Sequence, residues 1–242
     1  MSGHSKWATI KRAKGAADLK RGLTFTKISN AITIAVKRGG GTTDPSNNFR
    51  LRLAVEAARS ANMPKENIER AIQKAVGKEG GELQEVVFEG FAPSGVSVII
   101  EAATDNSLRT TSEIKSIFNK EGGNFGQPGS VSYLFEQKGE IALSKEGKTL
   151  DQAFEAAVES GADDVVDDEE GFVVYTQPSD LAKISGILKE KGFSITSAGL
   201  VRKPLTPMPV EDPQKRERVA NFLQKLEDLD DVQKVYSNLA QN

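Results

Sequence analysis

The 242-residue chain reads as a mixed α/β (α+β) protein of three domains: an N-terminal helical bundle, a discontinuous α/β domain, and a ferredoxin-like α/β domain inserted into it. Three observations predict this. Up to residue 80 the apolar residues recur at three- and four-residue steps, the helical period. Beyond residue 82, short apolar runs bounded by turns alternate with helical segments. One complete β-α-β-β-α-β unit, the split ferredoxin-like order, closes by about residue 203. An unfinished β-β-α-β block precedes it, and a helix and strand follow.

In chain order, Thr24 to Arg38 places Phe25, Ile28, Ile32 and Val36 on one helix face, and Lys37-Arg38 before Gly39-Gly40-Gly41 reads as that helix's C-terminus. Pro45 is expected to start a second helix with Phe49, Leu53 and Ala57 on one face. Pro64 starts a third, with Ile68, Ala71, Ile72, Ala75 and Val76 in register and Gly77 as its stop. GKEGGE at 77–82 reads as a linker. VVFEGFAPSGVSVIIEAAT reads as two strands around a Pro-Ser-Gly turn, Leu108 to Lys120 as a helix, and SVSYLF at 130–135 as a strand. The inserted unit is GEIAL, TLDQAFEAAVESG, DVV, FVVYT, SDLAKISGILKEKG and SITSAGLV. After Pro204, Pro207 and Pro209, a helix through Val219, Phe222, Leu223 and Leu226 and a strand VQKVY complete the earlier block. The expected domains are therefore 1–80, 82–137 plus 204–242, and 138–203.

Charge is divided unevenly. Residues 1–80 hold 16 Lys and Arg against 6 Asp and Glu, a net +10, while the remainder carries −12 and the whole chain −2. A split of this size concerns partners rather than fold. It describes a polyanion-seeking end on an acidic body, with Lys215, Arg216 and Arg218 as a local basic patch in that body.

Several chemistries lack their residues. Without cysteine there are no disulfides or thiolate sites, which fits a reducing compartment. His4 is the only histidine, so nucleophile–histidine catalysis would have to use the chain's end. No Walker sequence or strand-borne GxGxxG is present. The acidic run Asp163, Asp164, Asp167, Asp168, Glu169, Glu170 lacks calcium-loop spacing and reads as a solvated turn. EGGNFGQPGS at 121–130 could approach a phosphate, but reads first as a helix-to-strand loop. No apolar run is long enough to span a membrane. The basic N-terminus lacks the apolar core of a secretory signal and the Arg/Ser richness of a mitochondrial presequence. The expectation is a cytoplasmic, non-enzymatic protein with no metal and no membrane partner; the alternative is an enzyme with a site in the cleft between domains, which needs a catalytic set that the sequence does not display.

The segment GHSKWATIKRAKGAADLKRG at 3–22 concentrates the basic charge, with one acid, Asp18. The expected nucleic-acid contacts are His4, Lys6, Trp7, Lys11, Arg12, Lys14, Lys20 and Arg21, continued by Lys27, Lys37 and Arg38. Lys and Arg neutralise phosphates and release counterions. Trp7 serves either as a stacking platform for an unpaired base or as a core anchor. Arg50, Arg52 and Arg59 are the next polyanion surface if the segment does not bind.

These stretches resemble the YebC family. The opening GHSKWATIKRAKGAADLKRG with FTKI and RGGG, then VFEGFAPSG, TDNSLRT, EGGNFGQPGSVSYLF and GADDV, follow that family's motifs in order across nearly the whole chain. Arg12-Ala13-Lys14 stands where the family usually carries a His-Arg-Lys cluster, so the basic patch is thinner here. The resemblance implies three α/β domains, no catalytic residues and no required cofactor. It also implies either DNA-binding transcriptional regulation or association with the ribosome, where related proteins assist synthesis through difficult sequences such as proline runs. The partners expected are then rRNA or tRNA on the ribosome together with ribosomal proteins, or DNA.

Overall fold

The computed structural model describes residues 17–77, 83–168 and 171–240, with side chains placed from residue 22 onward. Among these residues are seven α-helices, and the eight strands form two four-stranded sheets. The chain divides into two compact units, one of residues 135–203 and one containing the rest of the described chain. No helix among the described residues is long and apolar enough to cross a membrane.

The larger unit opens with three helices: α1 (Ala17–Arg38), α2 (Phe49–Ser60) and α3 (Lys65–Val76). Helix α1 begins seven residues before the apolar periodicity does. It ends as the sequence expects. Gly40, at φ +67°, takes the left-handed position, and the Gly40 and Gly41 N–H groups donate to the carbonyls of Lys37 and Val36.

Pro45 does not start a helix. The Asp44 carboxylate accepts from the Ser46 N–H and hydroxyl and from the Asn47 amide, closing a turn, and Asn48 is the cap of α2. Buried Asn48 accepts from the Leu51 N–H at 3.1 Å and donates to the carbonyls of Ala35 and Thr42 at 2.9 and 3.2 Å. It thereby fixes the rotation of α2 against α1. The face turned inward is Leu51, Val55 and Ala58, not Phe49, Leu53 and Ala57. These join Ile32, Ala35 and Val36 of α1 and Ile68 and Ala71 of α3 in the helical core. Val76, expected in register, is 51% exposed at the last turn of α3.

The α/β part of this unit has sheet order β3-β1-β2-β8, from β1 (Gln84–Phe91), β2 (Ser97–Thr104), β3 (Asn124–Phe125) and β8 (Val232–Ser237). All three pairings are antiparallel. The third strand is not SVSYLF, where Ser132–Leu134 form a single 3-10 turn, but β3 within the Gly-rich loop. Helices α4 (Ser107–Glu121) and α7 (Pro213–Glu227) cover one face. There Phe118 meets Phe222 and Phe125 edge-on, at centroid distances of 4.9 and 5.6 Å. Gly90 is required beneath them, because a Cβ there would lie 2.6 Å from the Phe118 ring. Strand β2 is buried on both sides: Val98, Ile100 and Ala102 face this core, and Ile99 and Ala103 are buried behind them.

The smaller unit runs β4 (Phe135–Ser144), α5 (Leu150–Ser160), β5 (Asp164–Asp168), β6 (Gly171–Thr176), α6 (Leu181–Glu190) and β7 (Ile195–Pro204). Its sheet order β5-β6-β4-β7 is that of a ferredoxin-like fold. Thr149 and Gln152 form a reciprocal capping box at α5.

In the larger unit the Leu205 N–H donates to the Leu134 carbonyl at 2.9 Å, so the chain on either side of the smaller unit is already in contact. Replacing residues 135–204 by a short Gly/Ser link between Leu134 and Leu205 is expected to leave a protein that melts cooperatively with the β3-β1-β2-β8 sheet intact. Calorimetry and circular dichroism check this. A non-cooperative melt would count against reading residues 138–203 as an insertion.

Candidate nucleic-acid interface

The expected contacts fall into three groups. His4, Lys6, Trp7, Lys11, Arg12 and Lys14 lie outside the described residues. Lys20 and Arg21 belong to the opening turns of α1. Lys27, Lys37 and Arg38 are held by the protein itself. The Lys27 ammonium donates to the Glu227 carbonyl, Lys37 donates to the Leu83 carbonyl at 3.0 Å, and Arg38 Nε pairs with the Glu85 carboxylate at 2.7 Å. All three brace the helices against the α/β domain. Arg38, 63% exposed, keeps its other N–H donors near solvent.

The cations open to a ligand in the described helices are others. Arg50, Arg52 and Arg59 of α2 and Arg70 and Lys74 of α3 are all exposed. Arg52 rests on the Phe49 ring at 5.4 Å, and two turns along the same face is Arg59. Arg70 and Lys74 are one turn apart. No ion pair involves Arg50, Arg59, Arg70 or Lys74 among the described residues. The signal that finds them is phase, since each falls outside the apolar stripe of its helix. Lys27 and Lys37 fall near the seam with the α/β domain, which no helical period announces.

The Gly-rich loop has no vacancy for phosphate. The Glu89 carboxylate, nearly buried on β1, accepts from the N–H groups of Gly129, Val131 and Ser132 at 2.8, 2.8 and 2.9 Å. Burial pushes this carboxyl up, but the N–H bonds from Val131, Gly129 and Ser132 together outweigh it and hold the group below its usual range. An internal carboxylate thus fills the anion position that the loop's amides create.

A second carboxylate explains TDNSLRT. Asp231 accepts from the hydroxyls of Thr110 and Thr104 at 2.6 and 3.1 Å and from Arg109 at 2.9 Å, while Arg109 also pairs with Asp105. Asn106 caps α4 through the Arg109 N–H. The motif clamps the end of β2, the start of α4 and the start of β8. Burial raises the Asp231 carboxyl, and the bonds from Thr110, Arg109 and Thr104 outweigh that and lower it.

In the smaller unit the acidic run is tied down as well. Asp163 accepts from Lys138 and Gln177, Asp164 from Lys203, and Asp167 from Lys145. Glu169 and Glu170 lie outside the described residues. Among the described residues no three His, Cys, Asp or Glu side chains converge as a metal site requires.

Both depressed carboxylates give the same sign of pH dependence. Their contribution to stability is full above the unfolded carboxylate range, roughly pH 5, and is lost as pH falls through their lowered native values. Glu89→Gln, which turns one acceptor into a donor facing N–H groups, is expected to cost about 1–3 kcal/mol. Asp231→Asn is expected to cost a similar amount. Urea melts at pH 7 and pH 4 check this. Each variant should lose less stability than wild type between the two, and an unchanged pH dependence would show that these carboxylates are not the acid-sensitive groups.

Comparison with known proteins places the chain. Residues 5–78 match the family described as "TACO1/YebC protein N-terminal domain", and residues 83–239 match "TACO1/YebC second and third domain". A "Probable transcriptional regulatory protein" of Persephonella marina is 48% identical over 240 residues, covering 98% of this chain and 95% of that protein. One of Trichlorobacter lovleyi is 49% identical over 239 residues, again covering 98% and 95%. The crystal structure of a conserved hypothetical protein from Aquifex aeolicus matches with a TM-score of 0.88 at 43% identity, over 98% of this chain and 97% of that one. With both of its parts matched and its relatives similar over nearly their full lengths, the chain belongs to the TACO1/YebC family.

Proposed function

We propose that this chain is a non-enzymatic, nucleic-acid-binding regulator of gene expression that grips RNA on the ribosome through its basic N-terminal domain. The observation that carries the proposal is the +10 charge of residues 1–80 in a chain of net −2. The exposed arginines of α2 and α3 add to it, because none of Arg50, Arg59 and Arg70 is in an ion pair among the described residues. The regulatory name borne by the relatives supports the gene-expression part. In this reading His4, Lys6, Trp7, Lys11, Arg12, Lys14, Lys20 and Arg21 make first contact, and the acidic domains keep RNA on the basic side by repulsion.

A second reading, a DNA-binding transcriptional regulator, is favoured by the relatives' name and by the four-residue connection between α2 and α3. Against it, α3 carries Glu66 in its first turn and Glu69 one turn on, both exposed. A recognition helix meets bases and phosphates at its N-terminal residues. Crosslinking in cells followed by sequencing separates the two: rRNA and tRNA reads support the first reading, promoter DNA the second.

Changing Lys11, Arg12 and Lys14 to Gln in the full chain is expected to weaken RNA binding at low salt. Each lost single-strand phosphate contact should reduce the slope of log K against log[salt] by about 0.7, so three full contacts remove about two units. A salt titration by fluorescence anisotropy checks this. A folded triple variant with wild-type affinity and slope would move the interface to Arg50, Arg52 and Arg59.

A further inference from the structure

Helix α4 buries Thr110, Ile114 and Phe118 and turns Leu108, Ser112, Lys115, Asn119 and Lys120 to solvent. Half-buried Thr111 and Ser116 lie along the same face. No carboxylate falls among Leu108, Ser112, Lys115 and Asn119. Exposed Glu113 and Lys120 share one edge of the face by helical spacing, and Glu121 is turned toward α7, where it accepts the Lys225 ammonium at 2.6 Å. The surrounding domain is strongly acidic, with 8 Lys and Arg against 15 Asp and Glu in residues 81–137 plus 204–242. A central stripe without acid is not the outer surface that composition leads one to expect.

Two features give the face a ligand chemistry. Lys115 is positioned in advance, its ammonium 5.1 Å from the centroid of the Phe125 ring, which in turn packs edge-on against Phe118. A cation already held in place loses less side-chain freedom on binding. Ser112, Ser116 and Asn119 add groups that both donate and accept hydrogen bonds. Lysines interleaved with hydroxyls and an amide suit a sugar–phosphate backbone: phosphates take the N–H and O–H donors, and a ribose 2′-hydroxyl both donates and accepts. Leu108, 83% exposed at one end, offers an apolar surface to a base or sugar. The neighbouring cations serve the fold instead. Arg109 joins Asp105 and Asp231, Arg216 donates to the Ala240 carbonyl at 2.8 Å, and Arg218 donates to the Glu121 carbonyl at 3.1 Å. Of the basic patch that the sequence suggests in this domain, Lys215, Arg216 and Arg218, the two arginines are thus bonded within the protein, and Lys215 is exposed.

We infer that the outward face of α4 is a second RNA-binding surface, which takes the sugar–phosphate backbone through Lys115, Lys120, Ser112, Ser116 and Asn119. This rests on the RNA-binding reading above and adds a contact within the acidic body. The test uses the full chain and a mixed-sequence single-stranded RNA oligonucleotide, titrated by anisotropy over a range of salt. Lys115→Gln with Lys120→Gln should reduce the salt slope by about 1.4 and weaken low-salt binding. Lys115→Arg with Lys120→Arg should retain both, which separates charge from any effect on folding. The same charge change at exposed Lys183 and Lys189 of the smaller unit should leave the slope alone. Ser112→Ala, Ser116→Ala and Asn119→Ala together should lower affinity several-fold at unchanged slope.

Wild-type slope and affinity in the Lys115/Lys120 Gln variant, while the Lys11/Arg12/Lys14 variant is weakened, would overturn the α4 surface and leave the RNA-binding reading standing. Equal losses with DNA of the same sequence would overturn its assignment to RNA. Wild-type protein that fails to bind RNA would overturn the reading itself, and this inference with it.

Discussion

Helix α1 has partners on both of its long sides. Toward α2 and α3 it buries Ile32, Ala35 and Val36; on the opposite side Ile34 is buried, and the helix runs against β2 and β8. Fully burying one such aliphatic side chain is worth about 1.5–3 kcal/mol. A bundle of roughly 60 residues has little more than that to spare. The helical domain therefore depends on the sheet behind it, and the sheet depends on α1 to cover the Ile99 side of β2. Lys27 and Lys37 close the same seam by bonding to backbone carbonyls across it.

This coupling decides how the charge split acts. The cationic helices and an acidic α/β domain belong to one compact unit, so the two signs are not free to drift apart. With a screening length near 8 Å at physiological salt, a polyanion feels the nearest face rather than the net charge. One side attracts and another repels. Such a distribution orients an encounter more than it strengthens the final contact.

The fold was legible wherever local chemistry and periodicity agreed: the Lys-Arg-Gly-Gly-Gly stop of α1, the β1–β2 hairpin, the capped α5, and the β-α-β-β-α-β unit. It was misread where two signals competed. Helix α2 carries two apolar stripes, and the bond from its cap Asn48 to the Ala35 carbonyl of α1 holds the Leu51 stripe inward. Pro45 suits a first helical turn, but Asp44 captures the next amides. SVSYLF has strand composition, yet Glu89, some forty residues earlier, bonds the amides of Val131 and Ser132 that a strand would pair. The candidate site is marked in the sequence by a charge excess and not by individual contacts. Whether a lysine meets solvent or a neighbouring carbonyl depends on which domain packs against its helix, and that is invisible to a local pattern.

Glu89 and Asp231 also constrain what kind of recognition this protein can perform. Convergent backbone amides at a glycine-rich loop are the usual means by which a fold grips a phosphate at a defined point. Here Glu89 already occupies that position with three N–H bonds. The Thr-Arg cluster at the start of α4 is likewise filled by Asp231. These internal anions stabilise the fold and fill these two anion positions. For the polyanion of the proposed function, the described residues offer side-chain cations on helix surfaces, with hydroxyls and amides between them. Contacts of that kind are salt-sensitive and carry no base information.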